Sequence, residues 1–506
     1  MIEHLVRVHP SSLPLAREDQ LAWKIAELAA SRAQPDPTAI ELARCRIVDN
    51  AAVALAALNR APVAAVRAQA LAHPRAGGAT LFGLDANTRV HAQWAAWANA
   101  VAVRELDFHD TFLAEEFGHP GDNIAPLLAV AQQCGCTGKD LLHGIIIAYE
   151  VHVNLMKAIS LHRYKKDHLS HLAPGAVAGI GAMLRLPTEV VYQAVNQAVH
   201  LSFSTRQSRK GAISSWKAYV PAFAAKLAIE AVDRAMRGEA SPSPIYEGED
   251  SVIAWMLGGP EDEYRVSLPA IDETPRAILE TYTKAHSAEY QAQAIIDLAI
   301  ELAPKLNLEQ VREVVLHTSA HTHRVIGSGA NDPQKMDPDA TRETLDHSVS
   351  YIVAVALEDR SWHHEHSYTT ERAHRESTLR LWRKVRTVED ADWNQRYLDP
   401  DPAKRAFGGR LEVIMHDGEI VQAEKAVADA HPNGATPWEW DDYVEKWRTL
   451  SGGMVSRGES ERFIAAVQGL SDGYANALRV LLPVADCAAI TASESTGRGI
   501  FDFEGA

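Results

Sequence analysis

The sequence contains little cysteine, which limits the covalent and metal chemistry it can support. Only four of its 506 residues are cysteines, and only Cys134 and Cys136 lie close together. Two thiols one residue apart are a poor zinc half-site, and Gly135 between them predicts a turn at a helix end. An iron–sulfur cluster needs about three or four suitably spaced cysteines. We therefore expect no disulfide framework, no metal centre and no iron–sulfur cofactor.

Long apolar runs, excess positive charge and glycine-rich loops are missing as well. No stretch reaches the roughly 18 apolar residues of a membrane span, and residues 1–14 carry charges and prolines, unlike a signal peptide. Lys and Arg total 50 against 66 Asp and Glu, a net charge of −16, which argues against nucleic acid or an anionic membrane as partner. No phosphate loop or dinucleotide fingerprint predicts a nucleotide cofactor. The protein is expected to be soluble and cytoplasmic.

Alanine-rich helical patterns fill the first part of the chain. The predicted helices cover residues 38–58, 62–72, 91–103, 138–159, 172–185, 188–203 and 216–237. Dense alanine lets neighbouring helices approach closely. Residues 1–275 are therefore predicted to form a large all-α helical domain.

The pattern changes after residue 275. Residues 311–318 alternate as a strand, and residues 410–426 form a predicted hairpin around Asp417-Gly418. Helices are predicted at 288–303, 341–357, 441–450 and 460–470. The fold class is therefore mostly α, with a smaller α+β lid domain at 276–430 and C-terminal helices at 431–506 that return to the helical domain. A cleft between two such domains is the default place for a site.

Charged residues crowd into one segment, 105–123, between two apolar helices. It holds six acids, two histidines and a threonine. Ionisable groups held against apolar helices are unfavourable unless paired, so they are candidates for tuned chemistry. The turn His119-Pro-Gly would hold the imidazole in one place, as an acid–base group requires. An acidic helix N-terminus capped by Asp and Thr explains the composition equally well.

Two further segments place polar groups before predicted helices. His168 and His171 stand three residues apart and could share a helix face as a metal pair, but without a third ligand a capping segment is favoured. The segment from Arg206 to Lys217 carries four positive charges among serines and glycine. It suits carboxylate binding at a helix N-terminus, with a solvated basic loop as the alternative.

Near the expected domain junction, Lys284 and His286 either face the cleft or are ordinary linker residues. Tyr351 follows a polar turn and is either a site residue or a core anchor with its hydroxyl satisfied. The run Trp362-His-His-Glu-His366 lacks the His-Glu-x-x-His spacing of a zinc site, so it predicts no metal.

Several motifs resemble one family. Asp107-Phe-His-Asp-Thr111, followed by His119-Pro-Gly-Asp-Asn, resembles the signature of the MmgE/PrpD family. Thr341-Arg-Glu-Thr-Leu-Asp-His-Ser-Val-Ser-Tyr-Ile, Trp362-His-His-Glu and Ala406-Phe-Gly-Gly-Arg410 resemble its branch that dehydrates 2-methylcitrate. The resemblance runs from Asp19 to about residue 450.

This resemblance implies a helical domain and an α+β lid with the active site between them, usually in a homodimer. It implies elimination of water from the tricarboxylate 2-methylcitrate to give cis-2-methylaconitate, as in propionate catabolism, without metal or iron–sulfur cluster. The family also includes cis-aconitate decarboxylases and an iminodisuccinate epimerase, so a related reaction is the alternative.

By position, the resemblance carries functional residues over to this chain. The implied catalytic residues are Asp107, His119, His168 and Tyr351, and the implied substrate-binding residues are Thr111, His171, Lys217 and Lys284. His168 and His171 are alternatives for one family histidine. Arg206 joins the binding set because a tricarboxylate needs positive charge around it.

One position departs from the pattern. Gln291 follows Glu289-Tyr290, where similar sequences place a histidine, and His286 is the neighbour that could compensate. For the elimination, His119, oriented by Asp107, is expected to make one of the two proton transfers. The other would fall to His168, His171 or Tyr351.

Overall fold

The computed structural model describes residues 1–399, 401–473, 477–491 and 499–502. Helices dominate these residues, which confirms the mostly α class, and buried side chains form two main cores. The larger core takes side chains from residues 6–278 and again from 443–485. The smaller core takes side chains from 288–415.

The larger core is built almost entirely of helices. They are α1 (Leu21–Ala29), α2 (Pro37–Ala56), α3 (Ala61–Leu71), α4 (Ala92–Arg104), α5 (Ile124–Cys134), α6 (Gly138–Ala158), α7 (Leu169–Leu184), α8 (Thr188–Leu201), α9 (Trp216–Met236) and α10 (Val252–Met256). Five short strands accompany them: β1 (Ile2–Arg7), β2 (Pro74–Ala79), β3 (Phe112–Leu113), β4 (Phe117–Gly118) and β5 (Glu263–Leu268). β1 pairs with β5, and β3 pairs with β4, both antiparallel.

Small residues set the distance between the central helices α6 and α7. A Cβ atom added at Gly179 would lie 2.6 Å from the carbonyl oxygen of Gly144. Only glycine permits this approach, so the two helix backbones touch directly. α6 itself starts at a capping box in which Thr137 and Asp140 satisfy each other's backbone N–H groups.

The smaller core lies under a four-stranded sheet of order β7-β6-β8-β9. Its strands are β6 (Val311–Thr318), β7 (Val385–Glu389), β8 (Gly409–Met415) and β9 (Ile420–Lys425). β6 runs parallel to β7 and antiparallel to β8, and the predicted hairpin joins β8 to β9 around Asp417 and Gly418. The helices of this part are α11 (Gln293–Leu302), α12 (Ala320–Val325), α13 (Arg342–Leu345), α14 (Val349–Asp359), α15 (Thr370–Ala373), α16 (Glu376–Trp382) and α17 (Ala391–Tyr397).

Two expected helices differ from the structure in ways that concern the site. The helix predicted at 341–357 is interrupted, because α13 ends at Leu345 and α14 begins at Val349. Ser348 caps α14 through its side chain, and Asp346 and His347 are thereby left in a turn. The helix predicted from 288 begins with the 3-10 turn Tyr290–Ala292, so residues 284–289 form an irregular junction.

The C-terminal helices α18 (Trp440–Ser451) and α19 (Arg457–Gln468) return to the larger core. Lys446 of α18 is buried, and its Nζ lies 2.6 Å from Oδ1 of Asp49 on α2. The same ammonium donates to the carbonyl oxygens of Phe108 and Lys284, at 2.6 and 3.0 Å. One buried cation thus joins the C-terminal helices to both segments that carry the candidate site. We keep the expected domain boundaries at 275 and 430 as a proposal.

In the described ranges, no single helix has both the length and the apolar character needed to cross a membrane. α2 and α3 meet the criteria only when taken together, and they are bent by 102° relative to each other.

The Lys446–Asp49 pair gives a stability prediction. Lys446→Met removes one partner of a buried ion pair and should lower the free energy of unfolding by about 3–5 kcal/mol, because Asp49 stays buried without a counter-charge. Arg448→Met on the exposed face of α18 is the matched control and should change it little. Urea denaturation followed by circular dichroism measures both. Equal stability of the two variants would contradict the anchoring role.

Candidate active site

The loop after α4 carries the acids singled out in the sequence. α4 ends at Arg104, and Asp107 adopts a left-handed backbone conformation (φ +50°), which aspartate tolerates better than most residues. The hairpin β3–β4 and the 3-10 turn Pro120–Asn123 follow. Thr111 fixes this loop, because its hydroxyl donates to the Gly118 carbonyl at 2.9 Å and its backbone pairs with Tyr282. The loop therefore rests directly on the domain junction.

Asp107 is fully buried and surrounded by cations. Its Oδ1 accepts from Arg104 Nη1 at 2.7 Å and from Lys284 Nζ at 2.6 Å, and Lys217 Nζ lies 3.8 Å from Oδ2. Lys284 also donates to the backbone carbonyl of Asp107 at 2.9 Å. Burial opposes ionisation, but Arg104, Lys284 and Lys217 overcome it and hold the pKa of Asp107 well below its usual value. The carboxylate is therefore charged at all physiological pH values.

A second buried carboxylate, Asp346, faces the first from the interrupted helix. Its Oδ2 lies 2.5 Å from Lys217 Nζ and accepts from Arg342 at 3.1 Å, and its Oδ1 contacts His347 Nδ1. Burial is outweighed by these neighbours, Lys217 first, so the pKa of Asp346 is lowered. Lys217 bridges the two carboxylates. We call the set the ion cluster, and its members are Arg104, Asp107, Lys217, Lys284, Arg342 and Asp346.

His119 lies beside the ion cluster with a defined tautomer. Its Nδ1 is 2.8 Å from the carbonyl oxygen of Asp110, which can only accept, so Nδ1 carries the proton. The other nitrogen, Nε2, therefore has a lone pair, and it lies 3.7 Å from Oδ1 of Asp107. Burial lowers the pKa of His119 well below its usual value, with Arg104 and Lys284 adding to the effect. The imidazole is neutral and can accept a proton.

His168 is the member of the histidine pair that faces His119, with ring centroids 5.8 Å apart. It is buried, and neither of its nitrogens makes a hydrogen bond among the described residues, although Nδ1 lies 3.1 Å from Asp167. Burial lowers its pKa to about 3. His171 instead donates Nε2–H to the carbonyl oxygen of Ile159 at 2.9 Å. The structure thus brings His168, not His171, to the candidate site.

Two further predicted site residues, Tyr351 and Arg206, have other partners. Tyr351 is fully buried in the smaller core and donates its hydroxyl to the carbonyl of Ser367 at 2.6 Å, the contact expected of a core anchor. Arg206 lies over the ring of Phe117, 5.1 Å from its centroid, and its electrostatic partners include Asp167 and Glu116. We give neither of them a part in the chemistry proposed below.

Gln291, which stands where similar sequences place a histidine, contacts a histidine from elsewhere in the chain. With its amide nitrogen facing Glu289, its amide oxygen accepts from His321 Nε2 at 3.0 Å. His286, the neighbour that could have compensated, is paired with Asp297 at 2.7 Å instead. The histidine that meets Gln291 therefore comes from α12 of the smaller domain.

The sequence analysis missed half of the ion cluster. Arg104 is the last residue of α4, three positions before Asp107, and that spacing was the available signal. Asp346 and Arg342 were hidden inside what looked like one continuous helix. The break between α13 and α14 turns Asp346 toward Lys217.

Within the described ranges, one group of three side chains has ligand atoms close enough for a metal ion: Asp107, Asp346 and His347. Both carboxylates already hold cations, Lys284 and Arg104 on Asp107 and Lys217 and Arg342 on Asp346. A metal ion there would meet four positive charges, so the donor set does not fit a metal.

Two family domains match most of the chain that carries these residues. The MmgE/PrpD N-terminal domain matches residues 19–265, and the MmgE/PrpD C-terminal domain matches residues 286–472. The chain belongs to the MmgE/PrpD family. The ion cluster takes members from both matched segments and from the junction between them.

Curated members of the MmgE/PrpD family show what this chain is similar to. It is 26% identical over 385 residues to the mitochondrial 2-methylcitrate dehydratase of Yarrowia lipolytica, covering 72% of this chain and 71% of that one. It is 26% identical over 349 residues to the 2-methylcitrate dehydratase of Salmonella typhimurium, covering 64% and 68%. It is 24% identical over 352 residues to the alkylcitrate dehydratase phiI of Talaromyces stipitatus, covering 63% and 66%.

The buried neutral state of His168 gives a pH prediction. Its pKa is about 3 in the fold and about 6.5 when unfolded, so the unfolded chain binds more protons between these values. Its contribution to stability is therefore complete above pH 6.5 and is lost as the pH falls toward 3. His168→Asn should reduce the slope of unfolding free energy against pH by up to about 1.4 kcal/mol per pH unit.

Urea denaturation at pH 5, 6 and 7 measures that slope. His200→Asn, at an exposed position of α8, is the control and should keep the wild-type slope. A wild-type slope in His168→Asn would show that this imidazole is not held neutral by the fold.

Proposed function

We propose that this MmgE/PrpD protein is a hydro-lyase that removes water from 2-methylcitrate, or a closely related alkylcitrate, to give the conjugated tricarboxylate. The observation that carries the proposal is His119. A neutral imidazole with its Nε2 lone pair near the buried cations Arg104 and Lys284 suits removal of a proton next to a carboxylate. The names of the curated relatives support the same substrate class.

Substrate binding follows from the spare donors of the two lysines. An ammonium has three N–H donors, and among the described contacts Lys284 directs two of them at Asp107. Lys217 donates one hydrogen bond among these contacts, to Asp346. The remaining donors can bind substrate carboxylates inside a chain whose net charge of −16 would otherwise repel them.

Proton removal builds negative charge on a carbon next to a carboxylate. His119 Nε2 takes the proton and becomes an imidazolium, which the Asp107 carboxylate 3.7 Å away stabilises. The charge that develops on the substrate carboxylate is stabilised by Lys217, Lys284 and Arg104, which are already fixed by buried ion pairs. Such fixed charges need little reorganisation during the reaction. The electron pair then forms the double bond as the hydroxyl leaves.

We propose that the reaction needs no metal ion, because the ion cluster already supplies the positive charge that a metal would supply elsewhere. We also propose, from the sequence alone, a cytoplasmic homodimer. The name of one relative places that relative in mitochondria, so the compartment is a separate question for this chain.

The function is tested with chelator-treated protein and 2-methylcitrate. Ultraviolet absorbance should rise as a conjugated alkene forms, and no CO₂ should be released. Activity that appears only after a divalent metal is restored would reject the metal-free reaction. CO₂ from cis-aconitate, with no change in 2-methylcitrate, would instead assign the chain to decarboxylation.

The base is tested by His119→Asn. Asparagine keeps a donor toward the Asp110 carbonyl but cannot accept the proton, so turnover should fall at least about a hundredfold while the protein stays folded. His286→Asn is the control, because His286 is paired with Asp297 outside the ion cluster. Comparable turnover in His119→Asn and His286→Asn would refute the assignment.

A further inference from the structure

Elimination of water needs a proton donor as well as a base. Hydroxide is a poor leaving group, so an acid must protonate it as the carbon–oxygen bond breaks. His171 and Tyr351 already donate their protons to backbone carbonyls. Burial lowers the pKa of His168 to about 3, so it carries no imidazolium proton near neutral pH. The donor must therefore be sought among the other groups that border the ion cluster.

Glu289 is a half-buried carboxyl group at the domain junction, next to the ion cluster. Its backbone N–H donates to the carbonyl oxygen of Asp346 at 3.1 Å. Its Oε2 accepts from the backbone N–H of Gln291 at 2.7 Å, so it caps the 3-10 turn before α11. The backbone that positions Asp346 thus also positions Glu289.

The side chain of Gln291 also hydrogen-bonds to Glu289, in addition to its backbone N–H. With its nitrogen 2.8 Å from Glu289 Oε1, its oxygen accepts from His321 Nε2 at 3.0 Å and from the Tyr397 hydroxyl at 3.3 Å. His321 and Tyr397 are stacked, with ring centroids 5.2 Å apart. A cap needs only one acceptor, so this further support fixes the carboxyl more firmly than capping requires.

The surroundings of Glu289 keep it able to carry a proton. Burial raises its pKa to about 7, and the Asp107 carboxylate adds to the effect, while the Lys284 ammonium opposes it. Lys335 and Tyr397 are the other titratable groups whose charges couple to it. After proton loss, the Lys284 ammonium stabilises the carboxylate that remains. An acid matched to neutral pH in this way is suited to general acid catalysis.

A cavity of about 360 Å³ lies between the two domains and reaches the residues that contact Gln291. It is lined by His162 of the larger domain and by His321 and Tyr397 of the smaller one. Tyr397 and His321 both contact Gln291, so the cavity adjoins the support of Glu289.

We propose that Glu289 is a further catalytic residue, the general acid that protonates the departing hydroxyl. This assignment rests on the proposed dehydration. The carbon–hydrogen bond breaks and its proton moves to His119 Nε2, while its electron pair becomes the double bond. The carbon–oxygen bond breaks, and the hydroxyl takes the Glu289 proton and leaves as water. His119 then loses a proton to solvent and Glu289 regains one, so no other reactant is needed.

Glu289→Gln tests the assignment, because glutamine keeps the size and an acceptor oxygen for the Gln291 backbone N–H but cannot give a proton. Turnover of 2-methylcitrate should fall by about 10²–10⁴-fold, with an unchanged circular dichroism spectrum. Glu280→Gln is the matched control, since Glu280 is paired with Lys157 at 2.6 Å on the far side of the junction. It should retain wild-type turnover.

The pH profile separates an acid from a structural residue. Wild-type turnover should fall as the pH rises above about 7 and Glu289 loses its proton. Glu289→Asp should keep this fall at reduced turnover, and Glu289→Gln should lack it.

A substrate analogue with fluorine in place of the tertiary hydroxyl completes the test. Fluoride leaves with far less need of a proton, so Glu289→Gln should lose little turnover of this analogue, whereas His119→Asn should lose as much as before. An equal loss on both substrates, or an unchanged pH profile, would overturn the Glu289 assignment and leave the dehydration standing. Wild-type protein inactive on 2-methylcitrate would overturn both.

Discussion

Two buried carboxylates hold four buried cations, and the candidate site depends on this pairing. A charge removed from water without a partner is strongly unfavourable, so none of the six groups could be buried alone. The members come from the end of α4, the loop after it, the start of α9, the junction and the interrupted helix of the smaller domain. Lys217 contacts Asp346 across the two domains, and Lys284 contacts Asp107 from the junction. Charge pairing therefore fixes both the domain arrangement and the geometry of the site.

The same pairing sets the protonation states around it. Burial, with the nearby cations adding to it, keeps the His119 imidazole neutral, and the Asp107 carboxylate would stabilise the imidazolium. At Glu289 burial outweighs the nearby Lys284 ammonium, so its carboxyl holds a proton near neutral pH. The arrangement of charges thus gives the proposed base and the proposed acid opposite preferences for a proton. The pKa values of His119 and Glu289 are thus set by their surroundings in the protein and not by exposure to bulk water.

Sequence patterns predicted the parts of this site that depend on local composition. Residues 105–123 stood out because acids between apolar helices need partners, and the lysines followed from the family motifs. Arg104 was missed because it closes an otherwise apolar helix. Asp346 was missed because periodicity does not show that Ser348 starts a new helix. Hydroxyl and imidazole directions depend on tertiary packing, so no pattern showed that Tyr351 and His171 satisfy backbone carbonyls. The hairpin and most helices were predictable because their signals are local.

The return of the C-terminal helices has a consequence for motion. The chain leaves the larger core near residue 278 and re-enters it near 443, so the smaller core is inserted into the larger one instead of following it. The two chain connections between the cores lie side by side. Such an arrangement permits the smaller core to rock about the line that joins the connections and resists rotation about any other axis. Lys446 secures the second connection beside the first through the Lys284 carbonyl. Any opening of the site would therefore follow this one hinge direction and would return the same charges to the same places.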